Sequence, residues 1–387
     1  MRISIVHPHS VESVSGSNDI LIYTGGANAY CKMLSDLGHT CELLTLHHRN
    51  RIEEAIHVEF GHKIIKFPVT LGAKFGKEHS ISLLQYLWKN DTEIVHIRGY
   101  KQYNIAPIVL LLSLKGTPFV LHNLGGPKSY YQYRHSLLIR MFLKLLNRAD
   151  MILSVNKQEL KELEKVGINP QKLKFIPIGV DTSLFYPMER EKALQHLQLD
   201  PNKIYLLYVG RIVPLKGLPF LLKAMRLICT KFKNVQLLIV GNGDKGELAR
   251  LKTMARQLGI VQNVVFVGHK DRKELVYYYN AAAICVSPSL SEGFSNTVLE
   301  ALACCTPFIG TMAHMDGELL QDNTNCLLVE TGSAQQLAFA IQKLLDHSDL
   351  ASKLAQRGYC RVVSDFTFSK IGKELEEIYK SITSKCR

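Results

Sequence analysis

The chain has 387 residues, 47% hydrophobic, 21% charged and 8% aromatic, which is two domains' worth of globular protein and excludes a disordered or fibrous chain. Lysine and arginine number 47 against 34 acidic residues, a formal net charge of +13. The excess is local: residues 101–150 carry +6, residues 201–250 carry +7, and the rest balances at 31 against 31, so each half holds a basic patch suited to an anion or an anionic surface.

The opening MRISIVHP is an apolar alternation that reads as a strand and lacks the apolar core and cleavage site of a secretory signal. Strand-like runs rich in β-branched residues fall at 3–6, 41–46, 63–67, 94–97, 118–122, 151–155 and 174–177, with segments of helical period between them. Within this half, residues 105–114 form the longest nearly apolar run. It contains Pro107 and Ser113 and falls well short of the roughly 20 residues of a spanning helix. Residues 130–148 predict a helix with Arg134, Arg140, Lys144 and Arg148 on one side and Leu138, Phe142, Leu145 and Leu146 on another. Lys74 and Lys77 add a second basic spot ahead of an apolar helix at 81–88. This basic amphipathic pattern suits peripheral binding to an anionic membrane surface or packing on the sheet with solvated arginines.

A second strand series follows at 204–209, 235–240, 264–267, 284–286, 306–310 and 326–329. Strands apolar on both faces and separated by helices build parallel sheets covered on both sides. The expected fold class is therefore α/β, with two doubly wound, Rossmann-like domains at 1–182 and 183–365 facing a cleft. Pro187, Pro201 and a charged run at 189–192 mark the junction. Ile371, Leu375, Ile378 and Ile382 stand at i, i+4, i+7 and i+11, so 366–387 is expected to form a helix packing back towards the amino-terminal domain. The nine cysteines include no Cys-x-x-Cys pair and no zinc spacing, so they read as reduced thiols and the compartment as cytoplasmic.

Three strand-to-helix loops carry candidate chemistry. Gly241-Asn242-Gly243-Asp244-Lys245-Gly246 satisfies Gly-x-Gly-x-x-Gly, the phosphate turn of dinucleotide folds. The next strand, however, ends in Gly268-His269-Lys270 without a ribose-binding acid, and Asp244 would repel a pyrophosphate, so a generic tight turn is favoured over nicotinamide binding. In the loop Gly210-Arg211-Ile212-Val213-Pro214-Leu215-Lys216-Gly217, a guanidinium fork and a point charge five residues apart could clamp a diphosphate or could be solvated surface charge. In Glu292-Gly293-Phe294-Ser295-Asn296-Thr297-Val298-Leu299-Glu300, Ser295 or Asn296 would cap a helix whose free amides suit a phosphate. Glu300 lies in an otherwise apolar helix, where a buried charge needs a partner.

Glu292-x7-Glu300, the Gly210 to Gly217 loop, Ile176-Pro177-Ile178-Gly179-Val180-Asp181, Gly241-x-Gly243 and Gly25-Gly26-Ala27, in this order over nearly the whole chain, resemble the family 4 retaining glycosyltransferases of GT-B fold. The resemblance implies transfer of a hexose-type sugar from a nucleotide-diphosphate donor to a glycan or lipid-linked acceptor, with retention, no metal and no further cofactor. It implies that Arg211 and Lys216 neutralise the diphosphate, Glu292 contacts the transferred sugar, Glu300 the ribose, and the amides of Gly293, Phe294 and Ser295 the phosphates. Gly25, Gly26, Gly210 and Gly241 would let the backbone approach the donor, and His122 would be the histidine near the sugar and acceptor. Cys305, Cys326 and Ala313-His314-Met315-Asp316 depart from the family pattern near the expected sugar pocket. A nicotinamide-dependent oxidoreductase, a nucleotide-sugar epimerase and a non-catalytic GT-B relative are the alternatives. No nucleic-acid partner is expected, because no basic run is interleaved with aromatics.

Overall fold

Apolar runs too short to span anything else become the strands of two sheets in a computed structural model that describes residues 1–10, 25–56, 61–72, 78–99, 103–123, 137–317 and 319–384. The chain divides into one compact unit of Met1–Pro177 with Phe368–Arg387 and a second of Ile178–Thr367. The division falls before 182 because Val180 belongs to the second unit: its N–H donates to the Phe366 carbonyl at 2.8 Å and its side chain joins Phe185 in that unit's core.

Unit 1 holds β1 (Arg2–Ser10), β2 (Thr40–His47), β3 (Glu53–Ile56), β4 (Lys63–Pro68), β5 (Ile94–Arg98), β6 (Phe119–Asn123), β7 (Met151–Ser154) and β8 (Leu173–Phe175), in the order β3-β4-β2-β1-β5-β6-β7-β8. All described pairings are parallel except β3 on β4, an antiparallel edge that alternation alone did not reveal, because its residues Glu53–Ile56 are mostly exposed. Helices α1 (Gly25–Ser35), α2 (Ile81–Lys89), α3 (Ala106–Lys115), α4 (Leu137–Leu146) and α5 (Lys157–Lys165) cross over between strands. Of the helix expected over 130–148, residues 137–146 are helical; 130–136, with Arg134, and the basic spot at Lys74 and Lys77 lie outside the described residues.

Unit 2 holds β9 (Ile204–Val209), β10 (Val235–Val240), β11 (Val264–Gly268), β12 (Ile284–Val286), β13 (Phe308–Thr311) and β14 (Leu327–Val329), all parallel, in the order β11-β10-β9-β12-β13-β14. Its helices are α6 (Arg190–His196), α7 (Leu218–Lys231), α8 (Lys245–Gln257), α9 (Arg272–Ala281), α10 (Asn296–Ala303), α11 (Ala334–Asp346) and α12 (Ser348–Asp365). The final helix, α13 (Phe368–Thr383), buries its Ile371, Leu375, Ile378 and Ile382 stripe with Tyr30 and Leu34 of α1, which is why the chain's end belongs to unit 1.

In both sheets the strand order reverses once, between β1 and β5 and between β9 and β12. Loops leaving the strand ends diverge at such a switch point and leave a crevice there.

Candidate active site

The switch point of unit 2 brings together two of the three chemical loops. Gly210 and Arg211 follow β9, Glu292 follows β12, and Lys216 Nζ meets Glu292 Oε2 at 2.5 Å across 76 residues of sequence, with the two side chains 19% and 11% exposed. The loops are fixed to each other by backbone: the Leu290 N–H donates to the Leu215 carbonyl at 2.8 Å. Gly217, at φ +68°, lies so close to the second loop that a Cβ there would sit 1.9 Å from the Pro288 carbonyl oxygen. Lys216, read in the sequence as a solitary point charge, is thus an ion-paired one. Arg211 is exposed, and its guanidinium makes no hydrogen bond or ion pair among the described residues; only its carbonyl is held, accepting from the Tyr208 hydroxyl at 2.8 Å and the Val213 N–H at 3.2 Å.

Beyond Glu292 the chain enters α10. Ser295 occupies the N-cap position, but no side chain caps the helix, and the amides of Gly293, Phe294 and Ser295 make no hydrogen bond among the described residues. Uncapped amides at the positive end of a helix dipole are an anion seat. One turn in, Glu300 is buried, with the Tyr279 hydroxyl donating to Oε2 at 2.9 Å and Arg272 approaching Oε1 at 3.4 Å. Burial raises its pKa, opposed by the Arg272 charge and by both hydrogen bonds. Sequence reasoning demanded a partner for Glu300 without naming one. Arg272 and Tyr279 stand seven residues apart on α9, two turns of one helix face, and that spacing was the available signal.

The Gly-x-Gly turn is held by backbone contacts. The Gly241 N–H donates to the Gly268 carbonyl at 2.8 Å and the Gly210 N–H to the Val240 carbonyl at 3.0 Å, so both amides are engaged within the sheet end. A Cβ on Gly241, at φ +142°, would lie 1.9 Å from the Gly210 carbonyl oxygen. Asp244 caps α8 by accepting from the amides of Gly246 and Glu247 at 2.8 and 3.3 Å, which fills with a carboxylate the cradle a pyrophosphate would need. Gly241→Ala should therefore lower the thermal midpoint of unit 2 by at least ~5 °C, a strain of a few kcal/mol. Calorimetry checks this.

Of the departures from the family pattern, Cys326 is a core residue and Cys305 follows α10 at φ +55°. Among the described side chains of these departures, His314 reaches the site. Its Nδ1 lies 3.3 Å from the Thr311 amide and its Nε2 3.1 Å from Ser287 Oγ, and the buried ring feels the charges of both Glu292 and Lys216.

Comparison with known proteins accounts for this geometry. The family profile of the glycosyl transferases group 1 matches residues 189–361, and that of glycosyltransferase family 4 matches residues 26–184. This chain belongs to the group 1, family 4 glycosyltransferases. Among the curated relatives of this chain, D-inositol 3-phosphate glycosyltransferase 2 of Catenulispora acidiphila is 33% identical over 211 residues, 52% of this chain and 49% of that protein. The Rhodococcus erythropolis D-inositol 3-phosphate glycosyltransferase is 29% identical over 243 residues, 61% and 55% of the respective chains. The chain thus spans about half the length of the curated relatives it matches. Sucrose-phosphate synthase from Thermosynechococcus elongatus superposes with a TM-score of 0.77 at 23% identity over 99% of both chains. The Anabaena Alr3699/HepE protein, solved with UDP, does so at 0.75 and 17% identity over 98% of this chain and 100% of its own. These solved structures establish the GT-B fold.

Unit 1 carries the remaining expected site residues. Gly25 and Gly26 open α1. His122, expected beside the sugar, is 0% exposed: Nδ1 faces His96 Nε2 at 3.2 Å, the ring packs edge-on against Tyr30, and His96 in turn meets the Tyr379 hydroxyl. It points to the α1 and α13 side of the sheet because β6 places it on the same face as Val120. Burial and the Arg98 charge lower its pKa to about 3, with a backbone hydrogen bond at Ile176 opposing. Among the described residues no group of three or more His, Cys, Asp or Glu side chains could hold a metal ion, the eight cysteines are free, and no helix is long and apolar enough to cross a membrane.

Proposed function

We propose that the chain transfers a hexose-type sugar from a nucleotide-diphosphate donor to a glycan or lipid-linked acceptor, with retention at the anomeric carbon. The observation that carries this reading is the Lys216–Glu292 pair, with the unengaged Arg211 five residues before Lys216 in the same loop and the uncapped start of α10 just after Glu292. A diphosphate seated there meets two cations and a helix N-terminus, which supply the charge neutralisation that a departing diphosphate needs without calling on a metal. Glu300, held by Tyr279 and Arg272, offers its remaining lone pairs to ribose hydroxyls. As the glycosidic bond breaks, Arg211 and Lys216 stabilise the leaving phosphate, which takes the acceptor's proton on the same face of the sugar. Glu292 then binds sugar hydroxyls while orienting Lys216. His122, sealed in the core, enters this reading as a positioning residue for the strand ends of unit 1. With a lipid-linked acceptor, the work is done at the cytoplasmic face of an anionic membrane.

A thermal-shift panel of nucleotide sugars tests the reading: a bound donor at a hundred times its dissociation constant stabilises the native state by about 2.7 kcal/mol. No shift with any nucleotide sugar would contradict it. Glu292→Gln provides a sharper check. Losing the carboxylate frees Lys216 for phosphate, so the nucleoside diphosphate should bind about threefold to tenfold more tightly by calorimetry while sugar transfer falls at least about a hundredfold.

A further inference from the structure

The loop that carries Glu292 is tied down on two sides, and between Ser287 and Leu290 the ties alternate. Pro288 and Leu290 meet the Gly210 to Gly217 loop, through the close approach of Gly217 and the bond to the Leu215 carbonyl. Ser287 and Ser289 are bonded instead to the end of β13. The Ser287 N–H donates to the Ile309 carbonyl at 2.9 Å, and Thr311 Oγ1 donates to the Ser289 carbonyl at 2.6 Å. One more side chain joins this second set: His314, in the short 3-10 helix Met312–Gly317, places Nε2 3.1 Å from Ser287 Oγ.

Both ring nitrogens are engaged. Nδ1 lies among the polar atoms of Thr311, 3.3 Å from its amide, 3.2 Å from its carbonyl and 3.4 Å from its hydroxyl. With Nδ1 accepting from the amide, Nε2 carries the proton and donates to Ser287 Oγ, which leaves the Ser287 hydroxyl to donate to Ser289 Oγ at 3.3 Å. Ser287, Ser289, Thr311 and His314 are all buried. The ring fits because residue 310 is glycine, where a Cβ would lie 3.2 Å from Nδ1, and Phe308 packs edge-on against it at 5.9 Å. Burial lowers the His314 pKa, opposed by the Glu292 charge and the Thr311 backbone and reinforced by the Lys216 charge, so the neutral ring prevails at neutral pH. A histidine whose two nitrogens are spent on buried protein groups keeps none for substrate. What it sets is geometry: Ser287 is the first residue past β12, and Glu292 follows five residues on.

We propose that His314 is a positioning residue, which holds the Glu292 loop through Ser287 so that the carboxylate meets Lys216. The inference rests on the donor reading above, in which that pair belongs to the diphosphate seat, and adds the side chain that sets its geometry.

Calorimetry with uridine, guanosine, adenosine and thymidine diphosphates tests it. Loosening the Glu292 loop frees Lys216 for phosphate, so His314→Leu should tighten binding of the nucleoside diphosphate that the parent accepts by about twofold to fivefold. A variant that merely weakened the fold of unit 2 would bind less tightly, the opposite sign. Ser287→Ala removes the other half of the contact with a smaller change of volume and should act in the same direction. His314→Gln, whose amide can still donate to Ser287, should stay within about 1.5-fold of the parent. In a Glu292→Gln background, where Lys216 is already free, adding His314→Leu should change binding by less than about 1.5-fold. Binding that is weaker or unchanged in both His314→Leu and Ser287→Ala, a His314→Gln protein that behaves like His314→Leu, or effects that add fully to Glu292→Gln would each overturn the proposal. Glu292→Gln alone reports on the donor reading: if it leaves binding unchanged, or if the parent binds none of the four diphosphates, that reading fails and the proposal with it.

Discussion

Replacing Lys216 by alanine is expected to lower kcat/KM for sugar transfer by about 10²–10³, the usual cost of removing one preorganised donor from developing negative charge. Two effects add. The leaving diphosphate loses a cation, and Glu292, only 11% exposed and 2.5 Å from the missing ammonium, is left as an unpaired carboxylate facing the phosphate site. The second effect predicts an asymmetry: Lys216→Ala weakens nucleoside diphosphate binding, whereas Glu292→Gln strengthens it. A double-mutant cycle measured by calorimetry should therefore show strong coupling, and Lys216→Arg should recover part of the activity. Transfer within threefold of the parent in Lys216→Ala would remove the clamp from the mechanism.

Mild acid should destabilise unit 1. His96 and His122 are buried in the neutral form and His7 is half-buried with both ring nitrogens covered, their pKa values lowered chiefly by burial and further by charges that include the Arg98 guanidinium, which stacks 5.4 Å over Tyr30. The folded-state values lie below the unfolded value of 6.5. Below pH 6.5 the unfolded chain takes up protons that the folded one refuses, so their stabilising contribution is complete above that pH and declines as pH falls towards the folded values. His122 alone, with a folded value of about 3, should remove about 2 kcal/mol between pH 7.5 and 5. His96 shares its contact, so their effects will not simply add. Urea titrations followed by Trp88 fluorescence, a probe within unit 1, check this. His122→Gln should flatten the pH dependence, and a midpoint independent of pH from 7.5 to 5 would refute the assignment.

Periodicity, β-branched runs and loop chemistry were enough to read two parallel α/β sheets and the residues of the diphosphate clamp, because each of these signals is local. A strand apolar on both faces has to be buried on both. Gly, Arg and Lys after one strand, and Glu and Gly after another, state a charge preference before any folding is considered. What pairing would do to those charges was beyond any local signal. Only the strand order β9-β12 lays Lys216 against Glu292, and only the packing of α9 on α10 puts Tyr279 and Arg272 on Glu300. The same limit applies to two further residues. Gly241 has the spacing of a ligand turn, yet its amide and its missing Cβ serve the neighbouring loop. His122 has the position of an active-site histidine, yet the helix returning from the far end of the chain helps to bury it, through Tyr379 and His96. Sequence by itself determined which groups this protein has at its strand ends. Tertiary structure decided which of them face each other, because contacts between distant segments set burial and dielectric, and with them the charge state and reach of every side chain in the site.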